Sequence, residues 1–370
     1  MAEPFKTFIN ADGVQAAAGH LARTSADFDA ARFCADVVPQ LDALELKARA
    51  MCIATALEEH LATNFDEAAA HLERALAPHG APDQGLTGWF LWAAGEFVAR
   101  RGLEHPVRSL ACLQHMTQRF TAEFAIRPFI VAHPRLVFDT LQQWIHHPSE
   151  HVRRLVSEGT RPRLPWGLQL KALIADPSPS LPLLTALLDD DSEYVRRSVA
   201  NHLNDIAKDH PELVAEWVER YLPDASAPRR ALLRHASRTL IKQGHRRVMH
   251  AWGTGATFAG TAAITLTPAR IVLGEHIGIS VTLQSHASQD QVLTIDYIVH
   301  HVKADGTTSP KVFKGWHLTL SAGQTHTVTR RHAVKPITTR RYYPGRHLVT
   351  IQVNGHPVAD ASFVLQCIDG

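Results

Sequence analysis

From about Phe5 to Met249 apolar residues recur at three- and four-residue spacing, a period that predicts amphipathic helices throughout. The breaks between them are short and carry Pro, Gly or Asp, as in His79-Gly-Ala-Pro-Asp-Gln-Gly85 and Asp176-Pro-Ser-Pro179. After the glycine-containing stretch Thr254-Gly-Ala-Thr-Phe-Ala-Gly260 the period changes to two, with β-branched residues alternating with polar ones. Seven strands are expected: Ala263–Thr267, Ile277–Leu283, Gln291–Val299, Trp316–Leu320, Thr325–Arg331, His347–Val353 and Ala361–Leu365. Turns at Ala304-Asp-Gly-Thr307 and Val353-Asn-Gly-His356 separate them. The pattern therefore predicts a multidomain chain, all-α over residues 1–252 and an all-β immunoglobulin-like sandwich over 262–370.

The helical part repeats itself. Ser149-Glu-His-Val-Arg-Arg-Leu-Val156 returns as Ser192-Glu-Tyr-Val-Arg-Arg-Ser-Val199, an offset of 43 residues. That offset falls in the range of about 40–47 residues typical of HEAT and armadillo repeats. A weaker variant, Glu123-Phe-Ala-Ile-Arg-Pro128, precedes the pair, and Ser226-Ala-Pro-Arg-Arg230 follows it. The expected architecture is a solenoid of stacked helix pairs with one concave face.

Composition narrows the possibilities without choosing among them. Four cysteines (Cys34, Cys52, Cys112, Cys367) lie far apart with no CxxC pair, so a reducing, cytoplasmic setting and no structural zinc are expected. Only Cys367 falls in the β part, which leaves no disulfide within that domain. No stretch approaches a signal peptide or the roughly 18 apolar residues of a membrane span. The net charge is +2, but it is unevenly spread. Residues 1–126 hold 10 Lys and Arg against 16 Asp and Glu, residues 127–247 hold 18 against 14, and residues 262–370 hold 10 against 6. A basic middle and end suit a polyanion, provided the positions also fit.

Position supplies several candidates. On a helix Arg197, Asn201 and Asp205 form a polar line opposite Val195, Val199, Leu203 and Ile206. The repeat maps Arg154 onto Arg197 and Glu158 onto Asn201, so Glu158 and Asp205 are expected to face one groove. Glu123, one repeat earlier, is expected near the same groove, making three carboxylates among arginines. Arg230, Arg234, Arg238 and Lys242 recur every four residues after Pro228 and predict a single positive ridge suited to phosphates. Arg161 and Arg163 precede Trp166 in a proline-braced turn, and in the β part Arg340, Arg341 and Arg346 cluster in Thr339-Arg-Arg-Tyr-Tyr-Pro-Gly-Arg346. His146, His147 and His151 lie close together, yet nothing specifies a fourth ligand, so no metal site is assigned. No HExxH, P-loop or Gly-x-Ser-x-Gly pattern occurs, which removes the corresponding peptidase, nucleotidase and hydrolase readings. The residues alone leave the arginines open to contact with a polyanion or to surface ion networks with Asp189, Asp190 and Asp191, and they leave open a non-catalytic repeat scaffold that binds DNA or a protein.

The helical part resembles the AlkC branch of the AlkC/AlkD-type alkylpurine DNA glycosylases over about residues 4–250. The resemblance is carried by Leu41-Asp-Ala-Leu-Glu-Leu-Lys-Ala-Arg49, Glu123-Phe-Ala-Ile-Arg-Pro-Phe129, Glu158-Gly-Thr-Arg-Pro-Arg-Leu-Pro-Trp166 and Val195-Arg-Arg-Ser-Val-Ala-Asn-His-Leu-Asn-Asp-Ile-Ala-Lys-Asp-His-Pro211. It implies a cofactor-free, monomeric, hydrolytic enzyme that removes cationic alkylated bases such as 3-methyladenine from duplex DNA. It further implies that the lesion stays in or near the base stack and is approached through its sugar. Such a base is already a good leaving group, so the task left is to stabilise an oxocarbenium-like sugar and to place a water. Carboxylates do both. Glu123, Glu158 and Asp205 are then the catalytic candidates and Trp166 a rigid face for the sugar or base. Arg154, Arg161, Arg163, Arg197 and the two basic clusters become candidates for DNA contact.

Overall fold

The computed structural model describes residues 5–253, 257–337 and 340–366. The first residues of the expected linker (254–256), Thr339 and Cys367 lie outside the described residues. The chain divides by packing into two units, Met1–Asp209 with Ser226–Ala236, and His210–Ala225 with Ser237–Gly370.

Among its described residues the first unit has helices as its regular elements, with one isolated parallel bridge between Leu76 and Leu86. Three of its helices, Ala11–Thr24, Ala30–Val37 and Phe65–Ala75, begin where a side chain satisfies an orphan N–H group of the first turn: Asn10 accepts from Gly13, Asp29 from Arg32 and Asn64 from Glu67. The two copies of the sequence repeat form the helices Glu150–Gly159 and Glu193–Ile206, which pack on each other, and the second packs on Ala227–Ala236. Val152, Leu155 and Val156 of one copy and Val195, Val199 and Leu203 of the other are buried at 0% exposure. Each repeat helix thus buries one stripe against its neighbour, as stacking of helical repeats requires. Among the described residues no helix is long and apolar enough to cross a membrane.

Among the described residues the second unit holds eight strands: β1 (Gly260–Thr267), β2 (Arg270–Val272), β3 (His276–Ser285), β4 (Gln291–Val302), β5 (Thr308–Leu320), β6 (Thr325–Ala333), β7 (Gly345–Val353) and β8 (His356–Gln366). They form a three-stranded sheet ordered β1-β3-β6 and a five-stranded sheet ordered β2-β8-β7-β4-β5. Ile277, Ile279, Val281 and Leu283 of β3 share one core with Leu293, Ile295 and Val299 of β4 and with Val349, Ile351 and Val353 of β7. Every second residue of these strands is buried, the alternation expected of sheets with one face in a core. Helices belong to this unit as well: Pro211–Tyr221, Arg238–Gln243 and Arg246–Ala251 group with the strands. Gly244, at φ 72°, lies so close to Gly355 that a Cβ on it would stand 2.7 Å from the Gly355 carbonyl oxygen. Glycine is needed there on both counts, the left-handed conformation and the close approach.

Candidate active site

Glu158 ends the helix Glu150–Gly159, Asp205 lies in the last turn of Glu193–Ile206, and Glu123 sits in the turn before the helix Arg127–Ala132. All three carboxylates are buried, at 8%, 5% and 3% exposure for Glu123, Glu158 and Asp205. Buried charge survives only if paired, and arginines link the three into one chain. Arg154 pairs with Glu123 Oε2 and stands 3.5 Å from Glu158 Oε1. Arg161 donates through Nη1 to Glu158 Oε1 at 2.6 Å and through Nε to Asp205 Oδ2 at 2.8 Å. Lys208 donates to Asp205 Oδ1 at 2.8 Å, and Ser198 donates to Glu158 Oε2 at 2.6 Å.

Burial opposes the charge of Arg154, but Glu123 and Glu158 outweigh it and raise the guanidinium above its ordinary pKa. Arg161 is raised in the same way by Glu158 and Asp205 against burial. Arg154 also lies over the Tyr194 ring, 5.0 Å from its centroid. One carboxylate oxygen stands apart. Thr121 and Arg154 both donate to Glu123 Oε2, whereas Glu123 Oε1 has no hydrogen-bond partner among the described residues.

Beside the cluster the loop from Thr160 to Leu170 is folded on itself, with Gly167 N–H donating to Leu164 O and Leu170 N–H to Pro162 O. Trp166 occupies its tip at φ 63° and is 61% exposed, with Phe5 edge-on at 5.8 Å. A bulky residue in the left-handed region is strained, and its large apolar face is turned outward.

Residues 118–240, which contain all three carboxylates, match the family described as DNA alkylation repair enzyme. Residues 260–367 match a second model, the C-terminal Ig-like domain of the uncharacterised protein YhaZ. The uncharacterized protein YhaZ of Bacillus subtilis (strain 168) is 36% identical over 353 residues, covering 95% of this chain and 96% of its own. A solved structure, Pseudomonas fluorescens alkylpurine DNA glycosylase AlkC bound to DNA containing an abasic site analog, is 35% identical. It superposes with a TM-score of 0.88 over 98% of this chain and 100% of its own. The chain belongs to the AlkC family of DNA glycosylases.

Within this AlkC-type chain the arginine doublets of the repeat divide their work. The first arginine of each doublet turns to the acidic corner at residues 189–191: Arg153 binds Asp190 through two nitrogens at 2.6 and 2.9 Å, Arg196 donates to Asp191 O at 2.9 Å, and Arg229 pairs with Asp189. The second arginine faces elsewhere. Arg154 enters the carboxylate cluster, while Arg197 and Arg230 are exposed. The polar line Arg197, Asn201, Asp205 accordingly runs from solvent into the interior. Asn201 is half-buried and bonded to His235, and only Asp205 reaches the cluster.

Several expectations about DNA contact meet a different setting. Arg161 is only 8% exposed and committed to Glu158 and Asp205, so its guanidinium is not presented at the surface. Arg163 is half-buried in a two-point pair with Asp209 at 2.7 and 2.8 Å. The expected single ridge is also interrupted. Arg230 and Arg234 lie on the helix Ala227–Ala236, Ser237 breaks it, and Arg238 and Lys242 lie on the short helix Arg238–Gln243 of the other unit. All four side chains are exposed. In the β unit Arg346 is on strand β7 and donates to Ser362 Oγ at 2.7 Å. Arg340 and Arg341 lie over the rings of Tyr342 and Tyr343 at 6.0 and 5.5 Å. His147 accepts the Ser149 N–H, and His151 stands edge-on to Tyr194, so two of the three clustered histidines have structural partners.

Four residues of the site escaped the sequence reading. Lys208 carried a signal, three residues beyond Asp205 in the turn that follows its helix. Ser198 replaces Leu155 of the preceding repeat, an apolar-to-polar change at a buried position. His202, fully buried, holds the Ser157 carbonyl at 2.9 Å through Nδ1 while its Nε2 has no partner; burial drives its pKa down to about 4. Arg127, fully buried at the start of the helix Arg127–Ala132, is the fourth.

Proposed function

We propose that this enzyme hydrolyses the N-glycosidic bond of cationic alkylated bases in duplex DNA, with 3-methyladenine as the first substrate and 3-methylcytosine as a second. The observation that carries the reading is the buried, arginine-linked set Glu123, Glu158 and Asp205 in a chain 35% identical to alkylpurine DNA glycosylase AlkC. Departure of the base needs no protonation, because the base leaves as a neutral molecule once its bond to C1′ breaks. The electron pair of that bond goes to the base and leaves positive charge on the sugar, which fixed carboxylates stabilise. A water then adds to C1′ and gives up its proton. Glu123 is suited to take it, since its Oε1 has no donor competing for it among the described residues. Glu158 and Asp205, each tied at both oxygens, act as fixed negative charge that cannot swing away.

The exposed ring of Trp166 supports contact with the sugar or base of a nucleotide that stays in or near the stack. Arg154 holds the cluster together, and the exposed Arg197, Arg230, Arg234, Arg238 and Lys242 are the candidates for phosphate contact. The deciding experiment is to incubate the purified protein with methylated duplex and identify released bases by mass. Release of 3-methyladenine is expected; DNA binding with no released base would favour a non-catalytic scaffold instead.

A further inference from the structure

Arg127 is completely enclosed, at 0% exposure, and forms no ion pair among the described residues. It begins the helix Arg127–Ala132, four residues after Glu123, and reaches across to both ends of the loop that carries Arg161 and Trp166. Its Nη1 donates to the Gly159 carbonyl at 2.8 Å and its Nε to the Leu168 carbonyl at 2.5 Å. Its Nη2 has no hydrogen-bond partner among the described residues. The surroundings leave no slack: a Cβ on Gly167 would stand 3.0 Å from Leu164 Cδ2 and 3.4 Å from Arg127 Nε, and one on Gly159 would stand 2.7 Å from Ile126 Cγ2. Burial pulls its pKa down to about 10, helped by Arg161 and opposed by Glu123, Asp205 and Glu158, so it is still charged at neutral pH.

A buried arginine that binds only carbonyls is an expensive way to fill space, since an apolar side chain of similar volume avoids its desolvation. What it does supply is a planar fork with fixed angles, able to hold two backbone points at a set separation. The two points here are the entry and exit of one loop. Between them Arg161 must bridge Glu158 and Asp205, and Trp166 must keep a left-handed backbone at the tip.

We infer that Arg127 is a positioning residue of the glycosylase site, clamping the Gly159–Leu168 segment so that Arg161 and Trp166 are held in working geometry. This rests on the base-excision reading above. A loop displaced by an ångström or so is enough to cost about 100-fold in rate when it misplaces catalytic groups.

The test compares wild type, Arg127→Met and Arg127→Lys in the full chain. It measures single-turnover release of 3-methyladenine, affinity for undamaged duplex, and deuterium exchange at the Gly167 and Leu170 amides. Arg127→Met is expected to stay folded, lose at least about tenfold in single-turnover rate, and keep its affinity for undamaged duplex within about twofold. Amide exchange should rise in the loop and not in the helix Glu193–Ile206. Arg127→Lys, with the charge but not the fork, should recover only part of the rate. A folded Arg127→Met with wild-type rate and unchanged loop exchange overturns the inference, as does loss of the fold in both variants, which would make Arg127 a folding residue. If wild type itself releases no base, it is the glycosylase reading that fails, and the loop exchange still reports on the clamp.

Discussion

At the scale of single residues, the site turns on which carboxylate oxygens are committed and which are open. Glu158→Gln and Asp205→Asn keep volume but remove the negative charge that the proposed mechanism assigns to stabilising the transition state over the bound substrate. Each is expected to lower the single-turnover rate by at least about tenfold while changing duplex affinity little. Wild-type rates in both, measured by base release from methylated duplex, would reject the assignment. Trp166 gives a second expectation, in two parts. Its left-handed backbone suits glycine, so Trp166→Gly should be more stable than Trp166→Ala by about 1 kcal/mol in chemical denaturation. Both should lose preference for lesion over undamaged duplex, because the exposed face is gone. Equal preference in a folded variant would make the ring a packing element against Phe5. Glu158 and Asp205 were legible in the sequence because a 43-residue repeat fixes their relative phase. Arg127 was not. Four residues after Glu123 it reads as an ordinary surface pair along a helix, and only the tertiary fold shows that Glu123 precedes the helix and that Arg127 points into the interior.

At the scale of elements, helices and strands were mostly readable, and the misses have local causes. β2 is three residues long and pairs in parallel with β8, too short for an alternation to register. β5 runs from Thr308 rather than Trp316, because its first residues are exposed and interrupted by Pro310 and so carry no apolar period. The ridge of Arg230, Arg234, Arg238 and Lys242 keeps a four-residue spacing across a helix break at Ser237 that periodicity cannot see. The β elements also bring together three buried histidines, His301 on β4, His332 on β6 and His347 on β7, that no local pattern marks. The His301 ring lies 5.4 Å from Tyr342 and 5.8 Å from His347, and neither of its nitrogens has a hydrogen-bond partner among the described residues. Burial, then the charge of Arg340, lowers His301 to about 3 and His332 to about 4; burial lowers His347 against its bond to the Tyr343 carbonyl. Above pH 6.5 both folded and unfolded chains hold neutral imidazole, so these groups leave stability unchanged. Below 6.5 the unfolded chain takes up protons that the folded one refuses, and stability falls until the folded values near 4 and 3 are reached. Each such histidine costs at most about 1.4 kcal/mol per pH unit. Urea denaturation followed at the β unit between pH 7.5 and 4.5 should show this slope, and His301→Phe should flatten it. An unchanged slope would mean that His301 is not a source of the acid sensitivity.

At the scale of the whole molecule, the uneven charge visible in the sequence becomes a question about binding. Helices Pro211–Tyr221, Arg238–Gln243 and Arg246–Ala251 group with the strands, so cutting the chain at residue 262 would strip them of their packing partners. The role of the β unit in DNA binding is therefore better tested by removing charge than by truncation. Its basic residues exceed its acidic ones, 10 against 6 over residues 262–370, and Arg340, Arg341 and Arg346 form one cluster among them. Arg340 and Arg341 lie over tyrosine rings, which holds their guanidinium planes in place, and Arg346 is exposed on β7. If these three meet phosphates, each neutralised phosphate releases about one counterion, and log affinity falls against log salt with a slope of about 0.9 per contact. The variant Arg340→Gln, Arg341→Gln, Arg346→Gln should then bind duplex more weakly at low salt and show a slope shallower by up to about 2.7. Base release at saturating protein should be retained, because Glu123, Glu158 and Asp205 all belong to the helical unit. A parallel variant with Arg197→Gln, Arg230→Gln and Arg234→Gln supplies the comparison, since these exposed side chains are on that unit. Shallower slopes in both would spread the phosphate contacts over the two units. A reduced slope in the helical variant alone would confine binding to the repeats and leave the β unit to stability or to a protein partner.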